Sequence, residues 1–447
     1  MTETPKKPSA PPRVLQGMRD FLPERMLLRQ WVIGELRTVF ESFGFEPLDT
    51  PAVEYAETLK GKYGEEADKL IYEFEDRGDR RVGLRYDLTV PLARVAATYP
   101  DLPKPFKRYQ IAPVWRAERP QKGRYREFWQ CDVDTVGSTS PLADAELVMV
   151  VTSVLDRLGF ANYTVRINNR KILGALAEGL GVRGEAALAL FRSLDKLDKI
   201  GAAGVRAELV QRGLSEATAD RLFELVETSG SNEETLAGLR RRFQDAPRAI
   251  EGVAELEAIA AALGASGVGA DRYRIDLSMI RGLDYYTGPI FETVVDEPKI
   301  GSISGGGRYD NLIGMFGRDL PATGVSLGFE RVVDVMEELG LAPEHLARTV
   351  TQVLVTVFGP DTEAASLGIA AELRRAGVRT EVALTGDRIG KQLQYASRRR
   401  IPTVVIVGPD EVSRGVALVK DMATGEQRTV ARPDLAGTLC KHYGSIT

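Results

Sequence analysis

FKRYQIAPVWRAERPQKGRYREFWQCDVDTV, residues 106–136, decides how this chain is read. Successive side chains of a strand point to opposite faces. Laid out as a strand from Tyr125, the segment puts Trp129, Cys131 and Val133 on one face, with Tyr125 and Glu127. Arg126, Phe128, Gln130, Asp132 and Asp134 fall on the other. The first face can pack on helices. The second is a row of polar groups around one aromatic ring, costly inside a domain unless it meets water or a ligand. The preceding stretch splits the same way, with Ile111, Pro113 and Trp115 opposite Arg116 and Glu118. The two are predicted to form a long antiparallel hairpin with a basic tip, where Arg116, Arg119, Lys122, Arg124 and Arg126 converge. Such a cluster suits a polyphosphate, since hydrogen bonds to charged groups contribute roughly 1.5 to 3 kcal/mol each. On these residues alone a solvated basic hairpin fits as well, and Asp134 reads more readily as an exposed strand carboxylate than as a ligand.

Outward from the hairpin, Pro23 opens a helix with Leu27, Leu28, Trp31, Leu36, Val39 and Phe40 on its apolar side, and Gly44 should end it. Residues 45–53 read as extended. Residues 70–75 and 82–86 read as strands about a turn at 77–79, and Asp87 caps a predicted helix over 88–98. From about 171 to 270 Ala, Leu, Glu and Arg dominate without strand alternation, which predicts a helical insertion. Strands are expected over 272–279, 290–295, 301–304 and 322–328, then a helix over 329–339. Beyond a linker at 341–351 come strand 353–357, helix 362–376, strand 380–384, helix 388–400 and strand 403–407. That alternation predicts a compact α/β domain. The expected division is a disordered tail at 1–12, a first domain over 13–345 containing the insertion, and a second over 351–447.

Composition narrows the class of function. A chain of 447 residues suits two or three domains. No apolar run nears the ~20 residues that cross a bilayer, and Met1–Pro12 is polar and proline-rich, unlike a signal peptide. The two cysteines, Cys131 and Cys440, exclude a disulfide framework. The two histidines, His345 and His442, stand far from the hairpin, so neither zinc ligation nor histidine general-base chemistry is expected. A soluble cytoplasmic protein without a membrane partner is the expectation. The formal net charge of −4 argues against a nonspecific nucleic-acid coat yet leaves room for a local basic surface.

Four further stretches carry candidate chemistry. RGLDYYTG (281–288) sets an arginine beside paired tyrosines. SGGGRYD (304–310) puts three glycines at an expected strand end, where backbone must approach something closely. GVSLGFER (324–331) feeds a strand into a helix with Arg331 in its first turn, and LRYDLTVP (84–91) carries Asp87 and Thr89. Read singly, they fit packing aromatics, a flexible turn, a salt-bridging helix arginine and a plain helix cap. Together with the hairpin they resemble the histidyl family of class II aminoacyl-tRNA synthetases, over about Val14–Val430. Residues 114–130 are similar to motif 2 of that class, 324–331 to motif 3 and, more loosely, 43–51 to motif 1; residues 281–288 are similar to the signature of the histidyl family.

The resemblance implies an α+β fold: a class II synthetase catalytic domain, with an antiparallel sheet flanked by helices and a helical insertion, then a C-terminal α/β anticodon-binding domain. It implies an enzyme that ligates L-histidine to tRNA(His) with ATP and Mg2+, through a histidyl-adenylate, as a homodimer. No protein metal ligand is expected. Arg116 and Arg281 would be catalytic, their guanidinium groups stabilising charge that develops at the α-phosphate. The ATP site would hold Arg116, Glu118, Arg124, Phe128 and Arg331, with Glu118 reading the adenine amino group and Phe128 and Arg331 stacking on the base. Asp87, Thr89 and Gln130 would bind the substrate amino group, Asp134 and Tyr286 the two imidazole nitrogens, and Arg281 the carboxylate, with Tyr285 alongside. Arg119 and Gln121 would reach the tRNA acceptor end, and Arg388 and Lys391 the anticodon. A pocket built on buried hydrogen bonds rejects analogues lacking them by about 10^4- to 10^5-fold, so the insertion need not edit and is expected to hold the acceptor arm. Many bacterial members have glutamate where this chain has Asp87 and Asp134, which leaves the contacts of these shorter carboxylates open. The rival within the resemblance is a non-catalytic histidine-binding regulatory paralogue of the histidine biosynthesis pathway. Arg281 and the domain after the linker argue against it, and the tyrosine motif argues against prolyl or threonyl synthetases.

Overall fold

The computed structural model describes residues 12–444 apart from 63–67, 122, 195, 227–229, 281–284, 344, 345 and 347. All of the expected tail but Pro12, together with Lys122, His345 and Arg281, therefore lies outside the described residues. The chain divides into two compact units: the described residues up to Asp20 with Trp31–Ala342, and Phe21–Gln30 with those from Pro343 on.

Helix α1 (Pro23–Ser42) buries Val32, Leu36, Val39 and Phe40 in the first unit, apolar positions recurring at helical spacing. Then come β1 (Glu46–Pro47), β2 (Val53–Tyr55), α2 (Ala56–Leu59), β3 (Glu73–Glu75), β4 (Arg81–Leu84), α3 (Thr89–Thr98), β5 (Phe106–Trp115) and β6 (Glu127–Val136). The sequence reading made no assignment over 137–170. Helix α4 (Pro141–Arg157) lies there, started by Pro141 and capped by Ser140, whose hydroxyl accepts from the Leu142 amide at 3.2 Å. Strand β7 (Tyr163–Asn169) follows it. The expected insertion is helical: α5 (Arg170–Gly179), α6 (Glu185–Leu194), α7 (Leu197–Gln211), α8 (Glu216–Val226), α9 (Asn232–Arg242) and α10 (Pro247–Ala265). The unit closes with β8 (Tyr273–Ile275), β9 (Pro289–Val295), β10 (Ser302–Arg308), β11 (Ala322–Gly328) and α11 (Phe329–Leu339).

Eight of these strands form one sheet in the order β1-β5-β6-β11-β10-β9-β7-β8. Its middle is antiparallel, as expected, while β1 runs parallel to β5 and β7 parallel to β8 at the edges. Strands β2, β4 and β3 make a small antiparallel sheet. The glycine run does not end a strand, as the sequence suggested, but sits inside β10. A Cβ on Gly306 would lie 2.1 Å from the Gly324 carbonyl, and one on Gly307 2.6 Å from the Pro289 carbonyl. Glycine is needed there because neighbouring strands press on the backbone.

The second unit contains β12 (Val353–Val355), α12 (Pro360–Arg375), β13 (Thr380–Val382), α13 (Ile389–Arg398), β14 (Thr403–Ile406), α14 (Pro409–Ser413), β15 (Val416–Asp421), β16 (Gln427–Ala431) and α15 (Leu435–Tyr443). Its sheet runs β13-β12-β14-β15-β16, parallel across the first three strands and antiparallel thereafter. Val353, Val355, Ile369, Leu373, Val405 and Leu439 form its core. No helix among the described residues is long and apolar enough to cross a membrane.

Candidate active site

Strands β5 and β6 pair Arg108 with Asp134, Gln110 with Asp132, Ala112 with Gln130 and Val114 with Phe128. Directly opposed residues share a face of the sheet, so this one register gathers Arg108, Gln130, Asp132 and Asp134 on one side. Strand β11 sets Gly324 beside Asp134 and Ser326 beside Asp132. Cys131 and Val133, on the other side, are buried.

A cavity of about 180 Å³ opens on the polar side, lined by Asp87, Thr89, Gln130, Asp134, Tyr285 and Tyr286, together with Arg116, Asp132, Tyr309, Gly324 and Ser326. Asp87 sits at the start of α3, where its Oδ1 accepts from the amides of Thr89 and Val90 at 3.1 and 3.0 Å. It is thus the helix cap that the sequence suggested and a wall of the cavity as well. The rings of Tyr285 and Tyr286 meet edge to face at 4.8 Å, and Tyr285 meets Tyr309 at 5.9 Å.

The floor is electrostatically tense. Arg108 is fully buried, with Nη2 2.8 Å from Asp134 Oδ2, an ion pair without hydrogen-bond alignment. Tyr309 donates its hydroxyl to Asp134 Oδ1. Burial and the neighbouring Asp134 hold the Tyr309 phenol well above its ordinary value, so it stays a donor. Burial raises the Asp134 carboxyl against the pull of Arg108. Burial likewise pushes Asp132 up to about 7, with Arg108 opposing and Asp134 adding to the rise.

A second cavity of about 270 Å³ adjoins the first; both are lined by Arg116, Gln130, Gly305 and Ser326. Glu118, Gly123, Arg124, Phe128, Gly328, Glu330 and Arg331 also line it. Arg116 stacks over the rings of Tyr86 (4.2 Å) and Phe128 (5.0 Å), and its Nε donates to the Tyr86 carbonyl at 3.2 Å. Arg331, in the first turn of α11, donates to the carbonyls of Gly123 (3.3 Å) and Ser302. Arg124 lies 3.6 Å from Glu118. Three arginines and an aromatic ring fit a nucleotide with its phosphates.

Not every expected residue comes here. Arg119 and Gln121 are exposed on the hairpin tip, where Gln121 and Arg124 close a turn through reciprocal backbone bonds of 3.2 and 2.9 Å. Arg388 and Lys391 belong to the second unit, at the start of α13, and Lys391 pairs with Asp387 at 3.2 Å.

The histidyl-tRNA synthetase family profile matches residues 17–332. The chain belongs to the histidyl-tRNA synthetase family. A profile described as an anticodon binding domain matches residues 352–442. The histidine–tRNA ligase of Aeropyrum pernix is 48% identical over 423 residues, 94% of this chain and 95% of that one. That of Bacteroides fragilis is 42% identical over 457 residues, 97% of this chain and 100% of its own. The crystal structure of histidyl-tRNA synthetase from Nostoc sp. PCC 7120 superposes with a TM-score of 0.83 at 33% identity, covering 98% of this chain and 100% of the other.

Four residues of this candidate site received no role from the sequence: Arg108, Asp132, Tyr309 and Ser326. Asp132 was on the polar face and Tyr309 in the glycine motif, so both were visible. Arg108 was legible only through the hairpin register, since it lies opposite Asp134.

Proposed function

We propose that this chain condenses L-histidine with ATP to histidyl-adenylate and then transfers the histidyl group to tRNA(His). The observation that carries the reading is the shared wall of the two cavities, Arg116, Gln130, Gly305 and Ser326. An amino acid in the deeper cavity and a nucleotide in the cleft would meet there. A carboxylate oxygen attacks the α-phosphorus and pyrophosphate leaves. Arg116 stabilises the negative charge that grows on the phosphoryl oxygens. The terminal ribose hydroxyl of the tRNA then attacks the acyl carbon and AMP departs. Magnesium would arrive on the ATP phosphates and neutralise part of their charge; Glu118 and Glu330 are carboxylates that line this cleft. Phe128 and Arg331 would sandwich the adenine. Asp134, fixed by Tyr309 and Arg108, would accept from one imidazole nitrogen, while Tyr286 meets the other.

Exposed Arg119 and Gln121 would meet the acceptor end of the tRNA, and Arg388 and Lys391 its anticodon. A homodimer would form through the motif 1 stretch, residues 43–51; Val53, Tyr55 and Phe74 of the small sheet that follows it in the chain are exposed apolar side chains. The test is ATP–pyrophosphate exchange with each of the twenty amino acids, on wild type, Arg116→Ala and Arg281→Ala. Exchange with histidine alone, lost in both variants, is the expected result. Exchange with another amino acid, or with none, overturns the reading.

A further inference from the structure

We propose that Asp132 is a third acceptor for the α-ammonium group of the substrate, acting beside Asp87 and Gln130. The inference rests on the amino-acid pocket described above. Asp132 is 2% exposed and lines the deeper cavity. Its Oδ1 and the Oε1 of Gln130 have no hydrogen-bond partner among the described residues. Buried acceptors without donors are a minority in folded proteins, and these two belong to residues lining a cavity from which a ligand can supply the donors. Gln130 is held from its other end, where Nε2 donates to Ser326 Oγ at 2.8 Å, so the amide has its oxygen left to give. Residues two apart on a strand sit about 6.5 Å from each other on one face, a gap that one ammonium group can bridge. A primary ammonium brings three donors, and Asp87, Gln130 and Asp132 offer it three side chains.

Charge points the same way. Asp87, Asp132 and Asp134 line a cavity where Arg116 is the one basic lining residue among those described, with Arg108 buried behind Asp134. Asp134 is already engaged by Arg108 and Tyr309. Arg85 also faces Asp132, from the base of α3, but is committed to the carbonyls of Thr50 and Pro113 at 2.6 and 2.9 Å. Among the described residues the lining therefore carries more acid than base, which suits a cationic head. Burial, Asp134 and Asp87 raise the Asp132 carboxyl while Arg108 and Ser326 lower it, leaving it at about 7. A bound ammonium favours the ionised form, so near neutral pH binding should expel a proton.

The experiment is isothermal titration calorimetry of the full chain with L-histidine and with its deamino analogue, 3-(imidazol-4-yl)propionate. Wild type and Asp132→Asn are titrated at pH 7 in two buffers of different ionisation enthalpy. The expected result is a tenfold or greater loss of histidine affinity in Asp132→Asn, with less than a twofold change for the deamino analogue. Wild type should also release more protons with histidine than with the analogue, a readout that needs no folded variant. Equal weakening of both ligands, unchanged histidine affinity, or equal proton release overturns the proposal. Wild type that selects a different α-amino acid, with the same Asp132→Asn loss, would sink the histidine reading and leave Asp132 as the ammonium ligand. Wild type that binds no α-amino acid overturns both.

Discussion

Removing the charge of Arg108 probes the pocket floor directly. The side chain is 0% exposed and stands 2.8 Å from Asp134, and its Nη2 donates to the Leu88 carbonyl at 3.0 Å. Arg108→Met keeps much of the volume but strips Asp132 and Asp134 of the cation that lowers both. Taking one partner from a buried ion pair costs about 3–5 kcal/mol. The sign of the pH dependence follows from the raised carboxyls. A group whose folded pKa lies above its unfolded value, here 3.8 against about 7 for Asp132, adds stability that is full below the unfolded value. That stability is lost as the pH climbs through the folded one. The substitution lifts the folded values further, so the folded variant keeps protons that the folded wild type has given up. Its deficit should be smallest at pH 5.5 and grow toward pH 8.5, by up to about 1.4 kcal/mol per pH unit for each carboxylate. Urea unfolding followed by tryptophan fluorescence measures it. The three tryptophans, Trp31, Trp115 and Trp129, all lie in the first unit, so the signal reports that unit alone. Adding Asp134→Asn should recover part of the loss. A deficit under about 1 kcal/mol at pH 8.5, or one that does not change with pH, would refute the charge-balance reasoning.

Other perturbations give separate readouts. Gly306→Ala forces a Cβ to 2.1 Å from the Gly324 carbonyl; backbone on both sides cannot yield, so the urea midpoint of the first unit should fall by at least the ~1–3 kcal/mol of an overpacked core. Gly174→Ala, on helix α5 with open space around it, should instead stabilise by about 0.5–1 kcal/mol. Asp87→Asn keeps an acceptor for the Thr89 and Val90 amides whereas Asp87→Ala removes it. Both should raise KM for histidine in pyrophosphate exchange, while only the alanine should lose about 1 kcal/mol in thermal melts. Arg331→Ala removes a guanidinium from the cavity proposed to hold the nucleotide and should slow exchange by about 10²- to 10³-fold, measured at saturating histidine. Arg388→Glu with Lys391→Glu, both in the second unit, should raise KM for tRNA in aminoacylation far more than it alters exchange.

What the sequence disclosed is what period and punctuation can encode. The hairpin faces, the helix started by Pro23, the cap at Asp87 and the β11–α11 junction at Gly328 and Phe329 all rest on signals within a few residues. The glycines of β10 misled because glycine marks a turn locally, whereas here the requirement comes from Gly324 and Pro289 on neighbouring strands. Strand β7 and helix α4 went unassigned although Ser140-Pro141 is an ordinary helix start. The register of the hairpin was out of reach for a physical reason. Its loop runs from Arg116 to Arg126, and the turn closed by Gln121 and Arg124 is out of step with the ladder that pairs Trp115 with Glu127, so the turn does not fix the pairing. A slip of one residue would exchange the two faces, and Arg108 would no longer meet Asp134.

Two buried arginine–aspartate pairs in the first unit show why residue type and burial alone could not have located the pocket. Arg308 meets Asp144 at 2.6 Å, and each of its nitrogens has an acceptor, including the carbonyls of Ser138 and Ser140 at 2.8 and 3.1 Å. The arginine of that pair is fully satisfied, and only Asp144 Oδ1 is left without a hydrogen bond among the described residues. The pair ties β10 to the start of α4, and the need for this arginine is met within the chain. Arg108 is buried as deeply, yet its Nε and Nη1 have no partner among the described residues, and neither do Asp132 Oδ1 and Gln130 Oε1 nearby. Leaving buried polar atoms unpaired is unfavourable by about 1–3 kcal/mol apiece, and the Arg108 cluster leaves several such atoms together where the Arg308 pair leaves one. The contrast lies in satisfaction, which depends on β5, β6 and β11 lying side by side. An unsatisfied set of acceptors beside an unaligned arginine, at a cavity of about 180 Å³, fits the proposed ligand, which brings its own donors.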